Sequence, residues 1–227
     1  AAAAEQKRQE EIARQKEEAE RKAAEEKAAA ERKAAEEKAL AEKNKRIQEQ
    51  MAKVKDEMAL GKAAANSGDY DKAINHFNNA KENLPTEQKA FSAEQMAEAA
   101  LIMRNASDGI AESGSGTSGS GTTGSGSNSS TADKKKTAAA ATDYANAAVT
   151  YDPRNAAAHY VFGKGAEDVK NWPTALDEYT QAVQSDSDNY LYYYELGKVQ
   201  YRMGKFSEAR ASFETCCKLN TRFENAQ

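Results

Sequence analysis

The sequence predicts an all-α protein in which a solenoid of paired helices follows one long N-terminal helix. The first observation is a 34-residue pattern of large and small apolar residues, and the second is an N-terminal segment built from strong helix formers. The third is composition. The 227-residue chain is 30% charged and only 39% hydrophobic, too little apolar content for one core spanning the whole chain. Its Tyr, Phe, Leu and Trp residues lie almost entirely after residue 53.

Residues 1–53 consist almost wholly of Ala, Glu, Lys, Arg and Gln, with no Gly or Pro to end a helix. Two consecutive 11-residue blocks, beginning at Ala19 and Ala30, differ only in their last residue. An 11-residue period favours a straight helix over a left-handed heptad coil. Opposite charges one turn apart, such as Glu18 and Lys22, add local support. We expect one continuous helix from near the N-terminus to about residue 66.

Large aliphatic residues are scarce in this predicted helix until its end. Ile12 is the only one before Leu40, so a dimer seam lined by alanine would be weak there. From Leu40 the residues Ile47, Met51 and Val54 continue at steps of three, four or seven and lead into the first repeat. We therefore expect a single, solvent-exposed helix that acts as a spacer. The alternative is a coiled coil in which this helix associates with copies from other chains.

The 34-residue pattern starts at Val54, Ala156 and Tyr190. Each copy has a large apolar residue followed by Gly, then an aromatic residue, an Ala, a second aromatic residue and a small residue. These points are Leu60, Gly61, Tyr70, Ala73, Phe77 and Ala80; then Phe162, Gly163, Trp172, Ala175, Tyr179 and Ala182; then Leu196, Gly197, Phe206, Ala209, Phe213 and Cys216. Small residues at helix crossings let backbones approach while aromatic rings fill the grooves beside them. The pattern resembles the tetratricopeptide (TPR) repeat, whose unit is a helix, a turn and a second helix.

A second, interrupted repeat is predicted between Pro85 and Pro153, which lie two repeat lengths apart. Its helices are expected over Gln88–Asn105 and Asp133–Tyr151. Between them, Ser107–Thr131 is almost entirely Ser, Gly, Thr and Asn, a composition that predicts flexible, disordered coil. A linker between two small separate domains is the alternative. In this division residues 1–53 form the helical rod, and the TPR domain, 54–227, has repeats at about 54–87, 88–153 (with the insertion at 107–131), 156–189 and 190–223.

Composition and motifs argue against several classes of function. The net charge of −4 and the pI near 5.5 argue against nucleic acid as the main partner. No apolar run is long enough to span a membrane, so direct insertion is not expected. His76 and His159 lie in different repeats without metal-ligand or triad spacing. Cys216 and Cys217 are adjacent and have no distant Cys to pair with. We expect no enzyme, no cofactor and no metal.

The resemblance implies that the first helix of each repeat lines a concave groove that holds peptides or partner helices. Lysine follows the crossing Gly in each clear repeat, which places cations along that groove. The predicted groove residues are Lys62, Tyr160, Lys164, Tyr194, Lys198, Tyr201 and Arg202. We therefore expect a protein or peptide partner that is acidic or presents a chain-terminal carboxylate. The lysine and asparagine pattern by which chaperone-binding TPR proteins hold carboxylate tails is absent, because Met58 occupies one of its positions.

The charged Ala-rich helix is similar to the rods of TolA-type envelope proteins, which slightly favours the periplasm or cell envelope over the cytoplasm. The chain begins with four alanines and no Met, so we expect a fragment or a processed product. Two classes of function are consistent with these features. The first is a non-catalytic adaptor or scaffold that uses the groove, with the N-terminal helix as a spacer or a homo-oligomerisation element. The alternative is a structural component of a self-assembling envelope or filament-associated complex.

Overall fold

The computed structural model describes residues 2–109 and 131–224, and all regular structure within them is α-helical. The helices are α1 (Ala2–Asn66), α2 (Tyr70–Glu82), α3 (Lys89–Asp108), α4 (Thr131–Tyr151), α5 (Ala156–Asp168), α6 (Trp172–Ser185), α7 (Tyr190–Arg202) and α8 (Phe206–Glu224). The chain divides into two compact units, Ala1–Glu49 and Gln50–Gln227. The predicted fold class, all-α with a helical solenoid after a long helix, is confirmed.

The N-terminal unit is helical throughout its described length and has no core of its own. Side chains are exposed from Lys7 to Arg46, including the large aliphatic residues Ile12 and Leu40. The predicted ion pair of Glu18 with Lys22 is present, with 2.9 Å between Oε1 and Nζ. Helix propensity and local pairs of this kind, rather than buried apolar area, therefore support the helix here.

A peptide covering Glu5 to Lys43 should be strongly helical and monomeric, because its ion pairs are local and its apolar surface is small. Circular dichroism at two peptide concentrations should give the same broad melting curve. A sharp transition whose midpoint rises with concentration would instead show a coiled coil and contradict the single-helix account.

In the C-terminal unit, side-chain caps and left-handed turns mark the helix boundaries. Asparagine or aspartate side chains accept hydrogen bonds from the first-turn amides of four helices. These N-cap residues are Asp69, Asn155, Asn171 and Asn189. The turn inside each clear repeat contains a left-handed residue at the same repeat position: Gly68 at φ 81°, Lys170 at φ 58° and Gly204 at φ 76°. The 34-residue period is thus visible in the backbone as well as in the sequence.

Within each clear repeat the two helices cross at the predicted glycine. A Cβ added to Gly163 would lie 2.5 Å from Cε1 of Tyr179, and one added to Gly61 would lie 2.5 Å from Cε1 of Phe77. The aromatic ring therefore occupies the space that any larger residue would need. Further contacts join α4 to α5 and α6 to α7, which extends the pairs into a stack.

α3 and α4, the helices predicted to form the interrupted repeat, pack closely against each other. Tyr144 of α4 also donates a hydrogen bond to the carbonyl of Ile74 in α2, at 3.2 Å, and its ring meets Phe77 edge-on. The helix boundaries differ from the prediction. Residues 107 and 108, assigned to the coil, continue α3 until Gly109 ends it at φ 78°, and Thr131 already belongs to α4. Residues 110–130 of the predicted insertion lie outside the described residues.

Replacing residues 110–130 by a four-residue turn should keep the fold, because α3 and α4 are already packed together. The free energy of unfolding should stay equal or rise by on the order of 1 kcal/mol, since a shorter loop loses less chain entropy on closure. Thermal unfolding of the shortened and full-length chains measures the difference. A lower midpoint or loss of cooperativity would contradict the arrangement of α3 and α4 as one repeat.

Candidate functional site

The predicted groove residues lie on first helices of the repeats, as the pattern required. Lys62 belongs to α1, Tyr160 and Lys164 to α5, and the remaining four to α7. Their environments differ much more than their repeat positions suggest. The lysines form ion pairs with nearby carboxylates, several of them on adjacent helices. The exposed fraction of each tyrosine depends on the aromatic rings that stack against it.

A buried arginine on α3 is the first member of a charged cluster on these helices. The side chain of Arg104 is only 5% exposed. Its Nη1 donates to Oδ2 of Asp168 on α5 at 2.6 Å, and its Nη2 donates to Oδ1 of Asp108 on its own helix at 2.7 Å. Burial alone would lower the pKa of Arg104, but the hydrogen bonds to these carboxylates outweigh it and raise the pKa. The guanidinium therefore remains charged and ties α3 to α5.

Lys164 continues the charged cluster from α3 across α5 to α7. Its Nζ lies 3.5 Å from Oδ2 of Asp108 and 3.6 Å from Oε1 of Glu195, while its side chain is 15% exposed. Lys198 donates to the other carboxylate oxygen of Glu195, and Glu167 lies 3.9 Å from the Lys164 ammonium. Each lysine charge is thus shared among carboxylates supplied by the same chain.

Each of the predicted groove lysines is therefore paired with a carboxylate of the same chain. Lys62 is also paired, with its Nζ 3.4 Å from Oε1 of Glu98 on α3. Burial lowers the pKa of Lys198, but the hydrogen bond to Glu195 more than offsets this and raises it. A partner carboxylate that approaches Lys198 would share its ammonium with Glu195, rather than meet an unpaired cation.

Tyr160 has a structural environment that the sequence prediction did not anticipate. Only 5% of the residue is exposed, because its ring lies between Tyr179, at a centroid distance of 6.0 Å, and Tyr192, at 5.4 Å. Burial raises the pKa of its hydroxyl. Tyr160 therefore packs α5 against α6 and α7, and it offers little surface to a partner.

The predicted residues on α7 are more accessible. Tyr194 is 45% exposed and Tyr201 is 62% exposed. The ammonium of Lys198 lies 5.4 Å from the centre of the Tyr194 ring, a cation–π contact. Arg202 reaches back to α6, where its guanidinium lies 5.0 Å from the centre of the Trp172 ring. Of the seven residues, the four on α7 thus form the accessible group on one helix: Tyr194, Tyr201 and Arg202 are exposed, and Lys198 is partly exposed.

The structure adds functional candidates that the sequence reasoning did not select. Asp108 and Glu195 are two such residues, since the predicted groove set contains lysines, tyrosines and one arginine but no carboxylate. The i, i+3 spacing of Glu195 and Lys198 was a readable signal of pairing. Phe206 was assigned to packing by analogy with Trp172, yet it is 62% exposed. No pattern inside one repeat could show that difference, because the exposure of this position depends on the helix that packs beside the repeat.

The two histidines connect helices within their repeats. Nδ1 of His76 lies 2.7 Å from Oε2 of Glu57, and Nδ1 of His159 lies 2.8 Å from Oε2 of Glu178.

In residues 2–109 and 131–224, no three His, Cys, Asp or Glu side chains come together in a way that could hold a metal ion. Among the helices α1 to α8, as far as the structure describes them, none is both long and apolar enough to cross a membrane.

The chain has similarity to two solved structures and to two family models. Among solved structures, "MamA RS-1 ArsTM double mutant" is 14% identical, covers 77% of this chain and 98% of its own, and gives a TM-score of 0.37. "MamA 41-end from Desulfovibrio magneticus RS-1" is 15% identical, with 77% and 97% covered and a TM-score of 0.36. No curated protein matches the chain. A family model described as TPR repeat matches residues 170–204, and one described as tetratricopeptide repeat matches residues 190–223, so residues 170–223 carry tetratricopeptide-repeat sequence.

Proposed function

We propose that this protein is a non-catalytic adaptor or scaffold that binds a protein or peptide partner on the first helices of its repeats. Tetratricopeptide-repeat sequence supports a protein-interaction role, and one observation favours this face. Tyr194 and Tyr201 are exposed on α7, and the partly exposed Lys198 lies against the Tyr194 ring. Tyrosine is one of the residue types enriched at protein interfaces and at their hot spots.

The proposed partner segment is acidic, or ends in a free carboxylate, with aromatic or aliphatic residues between its charges. Of the three predicted groove lysines, Lys198 and Lys62 are the more accessible, with side chains 32% and 45% exposed. A partner carboxylate would compete with Glu195 and Glu98 for these ammonium groups. The tyrosines would supply buried contact area, and the two lysines would contribute to affinity and set its salt dependence.

The N-terminal helix is proposed as a spacer or an oligomerisation element for this adaptor. Its exposed surface and scarce aliphatic residues favour the spacer. The alternative function, a structural component of a self-assembling envelope or filament-associated complex, would require the helix to associate. Placement in the periplasm or cell envelope is proposed only from the similarity of its composition to TolA-type rods.

Quantitative affinity capture with the full chain as bait tests the proposed binding face. The groove variant combines Lys62→Gln with Lys198→Gln, which removes two accessible charges and keeps a hydrogen-bond donor at each position. The control is Val169→Glu, which changes a 75% exposed residue outside the predicted groove. We expect at least one protein to be captured by the wild-type and control chains and to be depleted severalfold with the groove variant. Equal capture by all three chains would contradict this binding face.

A further inference from the structure

A cleft of about 520 Å³ lies within the repeat stack, lined by residues of α3, α4 and α5 and by Val169, which follows α5. Its volume falls in the range of ligand pockets, roughly 300–1,000 Å³. Helices precede α3 and follow α5, so the cleft does not arise from either end of the chain. The lining residues that define its shape are Ala138 of α4 and Gly165 of α5, together with Val169.

On its α4 side the cleft lacks an aromatic ring that the other repeats have. Shifts of 34 and 68 residues relate Ala138 to Trp172 of α6, Phe206 of α8 and Tyr70 of α2, all three of them aromatic. The Trp172 side chain is partly buried against the core, and the guanidinium of Arg202 lies 5.0 Å from the centre of its ring. The cleft is therefore the repeat equivalent of a place that an indole ring fills in α6.

On its α5 side the cleft is equally under-filled. A shift of 34 residues relates Gly165 to Val199, which is fully buried, and Val169 to Met203, which is partly buried against the core. Apart from its chain neighbours and the backbone of its own helix, no atom lies within 4 Å of a Cβ added to Gly165. Val169 is 75% exposed. An aromatic ring in this cleft would thus bury apolar surface that the chain leaves in water.

Charges at the cleft favour an acidic neighbour for that ring. Lys134 and Lys135 line the cleft, are exposed, and form no ion pair within residues 2–109 and 131–224. The lining carboxylates, Asp108 and Asp168, are both held by hydrogen bonds from Arg104. Residues 110–130, which connect α3 to α4, contain no aromatic residue and so cannot supply the ring.

We propose that this cleft binds an aromatic side chain of a partner protein, flanked by acidic residues, in the position that Trp172 takes one repeat later. Lys134 and Lys135 would pair with the flanking carboxylates. Arg104 also lines the cleft, so the incoming ring would meet a cation, as Trp172 meets Arg202. The site shares no residue with the proposed groove.

A fluorescein-labelled peptide with one tryptophan between four glutamates would be titrated with the full-length chain and followed by fluorescence polarisation. We expect saturable binding that weakens at least about tenfold when the tryptophan of the peptide is replaced by alanine. Ala138→Trp should weaken binding of the original peptide by at least about tenfold and raise the midpoint of thermal unfolding, because the new ring fills the cleft. The control Ala132→Trp adds the same ring at an exposed position of α4 outside the cleft and should change neither quantity.

Charge variants test the rim without filling the cleft. Lys134→Gln combined with Lys135→Gln should weaken binding of the peptide severalfold and flatten its salt dependence. The Lys62→Gln and Lys198→Gln double variant should bind the peptide as the wild type does, and loss of binding there would place the peptide in the groove and overturn the proposal.

Three further results would overturn the proposal. The first is a dissociation constant above about 1 mM for the wild-type chain. The second is undiminished binding by Ala138→Trp, or a lower unfolding midpoint of that variant. The third is binding that appears only after residues 110–130 are replaced by a four-residue turn, because the chain itself would then cover the cleft.

Discussion

Gly163→Ala should lower the free energy of unfolding by about 2 kcal/mol, although alanine is the better helix former. The added Cβ would lie 2.5 Å from Cε1 and 2.7 Å from Cδ1 of Tyr179. That ring cannot easily move, because it is fully buried and its hydroxyl donates a 2.7 Å hydrogen bond to Glu167. Overpacking of this kind displaces both helices of the repeat.

Gly165→Ala is the matched control for Gly163→Ala, two residues away on the same helix. Apart from its chain neighbours and the backbone of its own helix, no atom lies within 4 Å of its added Cβ, so the substitution should stabilise α5 by about 0.5–1 kcal/mol through helix propensity. Urea unfolding of both variants measures the two changes. Opposite signs are expected, and similar effects would show that the crossing at Tyr179 is not tightly packed.

Lys164→Glu should destabilise the repeats by about 3 kcal/mol, because it removes the cation that holds three helices together. The new carboxylate would lie among Asp108, Glu167 and Glu195, all within 4 Å of the present ammonium. The Glu195 side chain is 6% exposed, so solvent screens this repulsion little. High salt should restore only part of the lost stability.

Lys62→Glu tests the same repeat position in a different environment. Lys62 and its partner Glu98 are 45% and 43% exposed, so solvent weakens their interaction. The free energy of unfolding should therefore change by less than about 1 kcal/mol. Thermal and urea unfolding of the two variants should separate them clearly. An equally small effect of Lys164→Glu would mean that the charged cluster does not stabilise the stack.

The sequence was sufficient to predict the fold, because each repeat specifies its own packing. The glycine and the aromatic residue sixteen positions later, such as Gly61 and Phe77, form a contact within one repeat. Caps such as Asn155 and Asn171 are local as well. Periodic residue types therefore carry enough information to place the helices and to pair them.

The burial and ion pairing of the groove residues could not be predicted in the same way, because both depend on neighbouring repeats. Tyr160 and Tyr194 share one repeat position, yet the first is buried by Tyr192 and the second is exposed. Lys164 is neutralised by Asp108, which lies on α3 and before residues 110–130. Pairing across helices that are distant in sequence leaves no trace in the period of a single repeat.

The binding face is tested most directly by the affinity of a captured partner segment for purified full-length chains. Wild type, the Lys62→Gln and Lys198→Gln double variant and Val169→Glu would be compared by titration at two salt concentrations. We predict that the double variant loses more than about 1 kcal/mol of binding free energy and shows a flatter salt dependence, with Val169→Glu unchanged. Equal affinity and equal salt dependence in all three chains would contradict the assignment of the partner site to the first helices of the repeats.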